Sequence, residues 1–486
     1  MMKLEPYQQA GVDMIIGFGR RALLADEMGL GKTAQALAVL KQSGAISRAE
    51  PFVVVCEAST KENWSREIQA WLGLRSTILT GRKPKGTIGT RHPVYIVNYD
   101  ILGGWIEALH EAGCRHLIID ECQNLTNPQA KRTANVRDIA RPMDSVQALS
   151  GTPLSNLPAE IWPILNILRP DIWPSFYPFA AKHCRPRLQP WGWEYKGAED
   201  MAGLHRQLRA TVLVRRLKDD VLDLPPKHRV VVPVPLMNYD RYAEAADDFF
   251  KWLKQHQRGG QLAKAEKAKA LYRVGELVRL TSKEKAKACV QWLDDWMEAN
   301  PTEKMVFFGH HQKFLNVIRR RAAWGPQSVF INGSVATAKR QGLVDQFNHD
   351  AGTRLLIGNI RAAGVGLNMV QARSTAFGEI WWNPSAHTQA EDRTHRYGQK
   401  RPCYAYYLVA DRTVELDIIA KLAARQEIQG RALDGDRDKR RHNGYEDIIT
   451  QRDNSDKPTK RRAFRGFQER PVRGRPAGCR PNGGGA

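Results

Sequence analysis

Between Ala22 and Thr33 the chain reads ALLADEMGLGKT, and these residue types can hold an anion. The apolar run Ala22 to Ala25 reads as a buried strand. Gly29, Leu30 and Gly31 make a turn, and Lys32-Thr33 opens the helical pattern AQALAVLKQ. Strand, glycine-rich turn and helix N-terminus aim backbone N–H groups and the positive end of a helix dipole at one place, a phosphate cradle. Lys32 there reaches β- and γ-phosphates, and the Thr33 hydroxyl binds Mg²⁺. Asp26, expected with Gly29 and Gly31 to contact the nucleotide, stands where the strict phosphate loop has glycine, so the loop is a variant.

The second chemical stretch is HLIIDECQ, His116 to Gln123. A buried strand delivers two adjacent carboxylates to its C-terminal end, where α/β sheets place their chemistry. Asp120 is assigned to Mg²⁺ and Glu121 to orienting and deprotonating a water. VQALSGTPLSN repeats the strand-then-turn pattern, with Ser150 and Thr152 as hydroxyls that sense a γ-phosphate and pass the signal on. In QAEDRTHRYGQK, read as a helix, Gln389, Arg393 and Arg396 fall on one face at i, i+4 and i+7. That face belongs either to a surface salt-bridge helix or to a second lobe reaching the phosphate held by the first. RAAGVGLN supplies Gly364 and Gly366, where backbone can approach a ligand closely.

Around these motifs the chain has 486 residues, 42% hydrophobic, enough for two or three domains with their own cores. Lys+Arg 74 against Asp+Glu 51 gives a formal charge of +23, which favours a polyanionic partner, nucleic acid first. Seven scattered cysteines, with no CxxC pair, speak against a disulfide framework and a zinc ribbon. Neither a signal peptide nor an apolar stretch of bilayer length is read, so the expectation is a reduced, cytoplasmic protein with no membrane partner.

In order, LEPYQQAGVDMII precedes the phosphate loop, and the Gln8 amide suits both hydrogen-bonding edges of an adenine. PFVVVCEAS is a strand and its exit. Ser59, Thr60 and Lys61 after it suit a nucleic-acid backbone, as do Asn98 and Asn359 at other strand ends. Pro158 to about Leu213 reads as an irregular helical insertion with Trp162, Trp173, Trp191 and Trp193 in its core. Arg215 to Leu236 reads as a basic connector ending in a strand. Tyr239 to Asn300 is charged and helical, mostly a solvated face whose lysines could border a nucleic-acid groove. KMVFFGHH, SVFING, RLLIGN, FGEIWWNP and YAYYLVA then set a second strand–helix rhythm. After about Arg431 the basic, Gly- and Pro-rich tail reads as disordered and as an electrostatic DNA-binding arm.

The ordered set LEPYQ, DEMGLGKT, DECQ, SGTPLSN, RAAGVGLN and QAEDRTHRYGQ resembles the SWI/SNF family of superfamily-two DNA-dependent ATPases. VFFGHH, FGEIWWNPSAHTQAEDRTHRYGQ and RRLKDDVLDLPPK are most similar to its HARP-type annealing-helicase subfamily. The resemblance implies an α/β fold of two RecA-like lobes, parallel sheets flanked by helices, with ATP between them and double-stranded DNA across both. It gives Gln8 to adenine, Lys32 and Thr33 to phosphates and Mg²⁺, Asp120 and Glu121 to metal and water, and Arg393 and Arg396 to the arginine fingers. Three positions depart from the family: Gln123 where it usually has His, Glu57 for a proline, and Gly358-Asn359 for a hydroxyl residue. Gln123 can still hydrogen-bond between lobes, so these departures bear on coupling rather than hydrolysis.

The expected divisions are lobe 1 over 1–214, with its insertion at about 157–210, connector and helical insertion over 215–300, lobe 2 over 301–430, and the tail over 431–486. The expected activity is ATP-driven translocation on double-stranded DNA, including branched DNA and single-strand/double-strand junctions. Alternatives are a strand-separating DNA or RNA helicase, the motor subunit of a defence or restriction system, and a non-hydrolysing ATP-clamped scaffold. No nuclease signature is read, so a nuclease or targeting function would come from a protein partner.

Overall fold

The computed structural model describes residues 3–84, 86, 88, 94–154, 156–189, 192–256, 264–363, 368–396 and 398–435. The first half contains β1 (Arg21–Leu24), β2 (Phe52–Cys56), β3 (Thr77–Ile78), β4 (Val94–Asn98), β5 (His116–Asp120) and β6 (Ser145–Leu149). A hairpin of β7 (Arg187–Gln189) and β8 (Gly192–Glu194) follows, then β9 (Leu213–Val214). Seven of these form one parallel sheet in the order β3-β4-β2-β5-β6-β1-β9. Apolar runs such as Phe52–Cys56 are buried at every position because helices cover both faces of a parallel sheet. All C-terminal strand ends therefore open on one edge, which gathers the loops after β1, β5 and β6.

A second parallel sheet holds β10 (Lys227–Val234), β11 (Met305–Gly309), β12 (Val329–Ile331), β13 (Leu355–Asn359), β14 (Ser374–Phe377) and β15 (Cys403–Ala410). Its order is β10-β15-β14-β11-β13-β12. The two-lobed α/β architecture expected from the motifs is thus present. β10 corrects the expected division at residue 300: part of the connector is an edge strand of lobe 2, paired with β15 along its length. Pro233 sits within it, which an edge strand tolerates because one side needs no ladder donor.

The insertion after β6 contains the helices Trp162–Leu168, Phe176–His183 and Met201–Thr211. Trp162 and Trp173 are in the core, but Trp193 is 51% exposed on the hairpin, correcting its core assignment, and Trp191 lies outside the described residues.

The last helix, Val414–Leu433, joins the two halves. Val414, Ile418, Ile419 and Leu422 pack into the core beneath the second sheet, whereas Ala432 and Leu433 pack into that of the first. Asp434 then pairs with Arg215 at 2.6 Å. The ordered chain therefore runs past the expected boundary at 430, because its last apolar residues are buried by the other lobe. The remaining tail, 436–486, lies outside the described residues.

One buried ion pair fastens this helix to the second lobe. Lys285 Nζ, fully buried, lies 2.6 Å from Glu415 Oε1 and donates to the Leu408 carbonyl at 2.7 Å. Glu415 Oε2 accepts from the Ala410 N–H. Removing one partner strands a charge in a dry site, which costs about 3–5 kcal/mol. Lys285→Met should lower stability by that amount in urea unfolding, and Lys285→Met with Glu415→Gln should recover part of it.

Candidate active site

Gly31 caps the helix Lys32–Gln42 in the left-handed conformation, φ +73°, and a Cβ there would meet the Gln8 amide at 2.3 Å. Glycine at this position thus serves both the backbone turn and the approach of Gln8. The Gln8 amide oxygen accepts from Glu5 N–H, and its nitrogen donates to the Leu30 carbonyl at 3.1 Å. Gln8 therefore lies against the loop, as a base-recognition element would. Thr33 is half-buried in the first turn of the helix. Lys32 Nζ donates to the carbonyls of Asp26 (2.8 Å) and Glu27 (3.2 Å), and burial pulls its pKa down. Its charge is parked on the loop that an anion would occupy.

Asp26 does not face that loop's interior. It is fully buried and accepts from the Arg216 backbone N–H and guanidinium (2.7 Å to Oδ2) and from Gln35 Nε2 at 2.9 Å. The expectation that it contacts nucleotide is corrected: with its oxygens occupied within the chain, it braces the loop from behind.

Asp120 ends β5 beside the loop. Trp64 Nε1 donates to its Oδ2 at 2.8 Å, the Glu121 N–H donates to its Oδ1, and Tyr99 Oη donates to its carbonyl. Burial, and then the charge of Glu121, push the Asp120 pKa up to about 7. Glu57 is also raised, by burial and then by Glu121. Glu121 has φ +51°, a strained conformation for a side-chain-bearing residue, and Gln123 Nε2 donates to its Oε2 at 2.6 Å. Hard oxygen donors on Thr33 and Asp120 fit a magnesium ion, which takes one or two carboxylates and fills its other positions with water and phosphate. Among the described residues no cluster of three His, Cys, Asp or Glu side chains could hold a metal alone.

After β6, the Thr152 N–H donates to Ser150 Oγ at 3.0 Å, and Thr152 Oγ1 is buried with no partner among the described residues. A Cβ on Gly151 would meet the Met28 side chain at 2.9 Å, so this turn lies against the phosphate loop. Gln123 Oε1 is likewise buried and unpartnered. These are the positions expected to sense the nucleotide.

The second lobe closes the site, but through a different local structure from the one expected. The helix Pro384–Glu391 ends before the arginines, and Asp392 caps it. Glu391 and Asp392 are drawn to buried cations: Arg229 holds Glu391 with two contacts of 2.7 Å, and Lys227 lies 3.0 Å from Glu391 and 3.2 Å from Asp392. The Thr394 hydroxyl then turns back onto the Glu391 carbonyl. Arg393 and Arg396 thus sit on a turn rather than a helical face, and Gln389 is buried in the preceding helix. Burial and Arg396 lower the Arg393 pKa to about 10, with Glu121 the first of the charges opposing the shift. The Arg396 Cβ lies 3.5 Å from where a Cβ on Gly29 would be. Arg396 therefore approaches the phosphate loop of the first lobe, and Arg393 lies within electrostatic reach of its Glu121 carboxylate. Gly364 and Gly366 lie outside the described residues.

Of the expected nucleic-acid residues, most are engaged within the chain. Lys61 is buried and donates to the Leu79 carbonyl at 2.8 Å, because the first residue of its helix points at the end of β3; its assignment to a phosphate is corrected. The Thr60 hydroxyl bonds the Glu57 carbonyl, and Asn98 is buried. Asn359 donates to the His310 carbonyl and accepts from the Arg361 N–H. Ser59 is half-buried in a short turn.

The sequence reading missed Lys218. Its N–H donates to Glu27 Oε2 at 2.6 Å, while its Nζ lies 2.9 Å from Asp392 and donates to the His395 carbonyl. One residue of the crossing segment thus touches the phosphate loop and the arginine turn. Its only sequence signal is the cluster RRLKDD, in which nothing separates a buried cation from a solvated one.

A family model described as the SNF2-related domain matches residues 7–281, and the helicase conserved C-terminal domain matches residues 284–398. The chain belongs to the SNF2 family. Among SNF2 relatives, it is 31% identical over 425 residues to the SWI/SNF-related matrix-associated actin-dependent regulator of chromatin subfamily A-like protein 1 of Xenopus laevis, covering 85% of this chain and 42% of that protein. It is 28% identical over 458 residues to the human DNA annealing helicase and endonuclease ZRANB3, covering 90% and 41%. The SNF2 chain spans about two-fifths of the length of these curated relatives. A solved structure, the Sulfolobus solfataricus SWI2/SNF2 ATPase core in complex with dsDNA, matches at 23% identity and TM-score 0.43, covering 90% of this chain and 94% of that one.

Proposed function

We propose that this SNF2 chain is a DNA-dependent ATPase that translocates on double-stranded DNA, remodelling or reannealing it or displacing bound proteins. The observation that carries the reading is the approach of Arg396 to the Gly29 loop, with buried Arg393 within electrostatic reach of Glu121. Such an arrangement completes a phosphoryl-transfer site only when the lobes are closed. Lys32 moves from the Asp26 and Glu27 carbonyls to the phosphates. Glu121, fixed by its backbone and by Gln123, takes the proton of the attacking water. The arginines offset charge on the phosphoryl group in flight. Thr33 and Asp120 would hold Mg²⁺, which when bound neutralises phosphate charge. Gln8 reads the adenine by exchanging its local bonds. Gln123 and Thr152, each with an unpartnered buried oxygen, report the nucleotide to the other lobe.

Branched DNA and junctions are the proposed preferred substrates, with a partner protein supplying any nuclease or targeting function. The relatives named DNA annealing helicase and endonuclease support DNA annealing as an activity. Six described cysteines are buried thiols, which suits a reducing cytoplasmic compartment. ATP turnover measured with no nucleic acid, blunt duplex, single-stranded DNA and RNA tests the reading. Strongest stimulation by a blunt duplex is expected, and stimulation by RNA alone would replace the translocase with an RNA helicase.

The tail is proposed as an electrostatic arm. Removing residues 436–486 should weaken duplex binding at low salt and flatten the log–log salt slope by close to one unit per lost phosphate contact. Cutting after Ala432 should do more, because it also removes buried Leu433 and the Asp434 partner of Arg215. The shorter chain should unfold at lower temperature than the one cut after Gly435.

A further inference from the structure

The helices Tyr239–His256 and Lys264–Ala299 enclose a cleft of about 1050 Å³ that the nucleotide site does not use. Its floor is apolar, with Phe249 and Leu277 each 2% exposed. Its wall is cationic: Lys269, Arg273, Arg279 and Lys283 project from one helix, and Arg241, paired with Glu284 at 3.5 Å, from the other. The single carboxylate among the lining residues, Glu276, is engaged by Arg279 at 3.2 Å. Two rings complete it. Tyr272 is 62% exposed, and the Arg273 guanidinium lies 4.9 Å from the Trp252 ring centre.

We propose that this cleft binds a single strand of DNA. The inference rests on the DNA-motor reading and adds a second, separate contact for the polymer. The charge selects a polyanion. The apolar floor and exposed ring then favour one strand over a duplex, because a duplex hides its base faces by stacking and offers only backbone. A single strand presents both phosphates for the cations and a π-face for Tyr272, the combination used in sequence-tolerant binding. On forked DNA the cleft would take the unpaired arm while the lobes hold the duplex.

The test is fluorescence anisotropy of a labelled oligothymidylate with the full chain and with Tyr272→Ala, Tyr272→Phe and Lys269→Glu/Lys283→Glu. Tyr272→Ala should weaken binding about 5- to 100-fold, the loss of one stacked base, and Tyr272→Phe should restore it. The double charge reversal should flatten the salt slope by at least about 1.4 units for two single-strand phosphates. The ratio of ATP turnover on forked over blunt DNA should fall with the affinity. An unchanged oligothymidylate affinity in Tyr272→Ala would overturn the proposal, as would tighter binding of polyglutamate than of oligothymidylate, which would make the cleft an acidic-peptide site. Absence of duplex-stimulated turnover in the unaltered chain would instead sink the motor reading while leaving the oligothymidylate result to stand alone.

Discussion

Glu121→Gln should bind ATP normally and lose about 10²- to 10⁴-fold in kcat, the share usually supplied by a general base. The substitution keeps the side chain's shape, so the bond from Gln123 Nε2 survives with an amide oxygen as acceptor, and Asp120 keeps the Trp64 and backbone bonds that orient it. The proton acceptor is lost, together with the charge that raises the Asp120 pKa. Lys32→Ala should behave differently, lowering both nucleotide affinity and turnover, because it removes a charge that contacts phosphate in the ground state as well as in the transition state. Nucleotide titration paired with steady-state turnover separates the two outcomes. Retention of turnover in both variants would sink the site assignment.

Removal of the arginines should be as severe and should appear only when DNA is present. Fingers of this kind are worth about 10³–10⁵ in rate. With its pKa near 10, Arg393 keeps its charge at neutral pH despite its burial. Arg396→Ala should abolish DNA-stimulated hydrolysis and leave ATP affinity nearly intact, with Arg393→Ala similar or milder. Since the two arginines feel each other's charge and approach the same nucleotide site, the two losses should not add fully. A normal DNA-stimulated rate in Arg396→Ala would return the turn to an ordinary surface.

What could be read from the chain before its structure follows the sequence distance over which each feature is decided. The loop around Lys32 and the carboxylates after β5 are strand–turn units made from contiguous residues, and both lie where their sequences imply. Asp26 was misread because its partner Arg216 is 190 residues away. Lys61 was misread for a related reason: a lysine whose ammonium reaches a distant carbonyl looks, in sequence, like one in solvent. The helix expected through Gln389, Arg393 and Arg396 had the right periodicity. It is stopped by Lys218, Lys227 and Arg229, cations from another segment that capture Glu391 and Asp392. Local patterns thus place the motifs in the fold, whereas the buried charges around them are set by tertiary contacts.

The ion pair of Arg215 with Asp434 has a mechanical consequence. One residue begins the outgoing passage between the lobes and the other ends the returning helix, so both covalent crossings are pinned at one place. Arg215 also donates to the Ala25 and Gly151 carbonyls, which anchors that place to the strand ends of the first lobe. Together with the Lys218 bridge between the phosphate loop and the arginine turn, this pin resists sliding of one lobe across the other and leaves a change of angle as the easier motion. The second lobe is then a lever with its fulcrum at Arg215, and a small change of angle there becomes a larger stroke at its far rim.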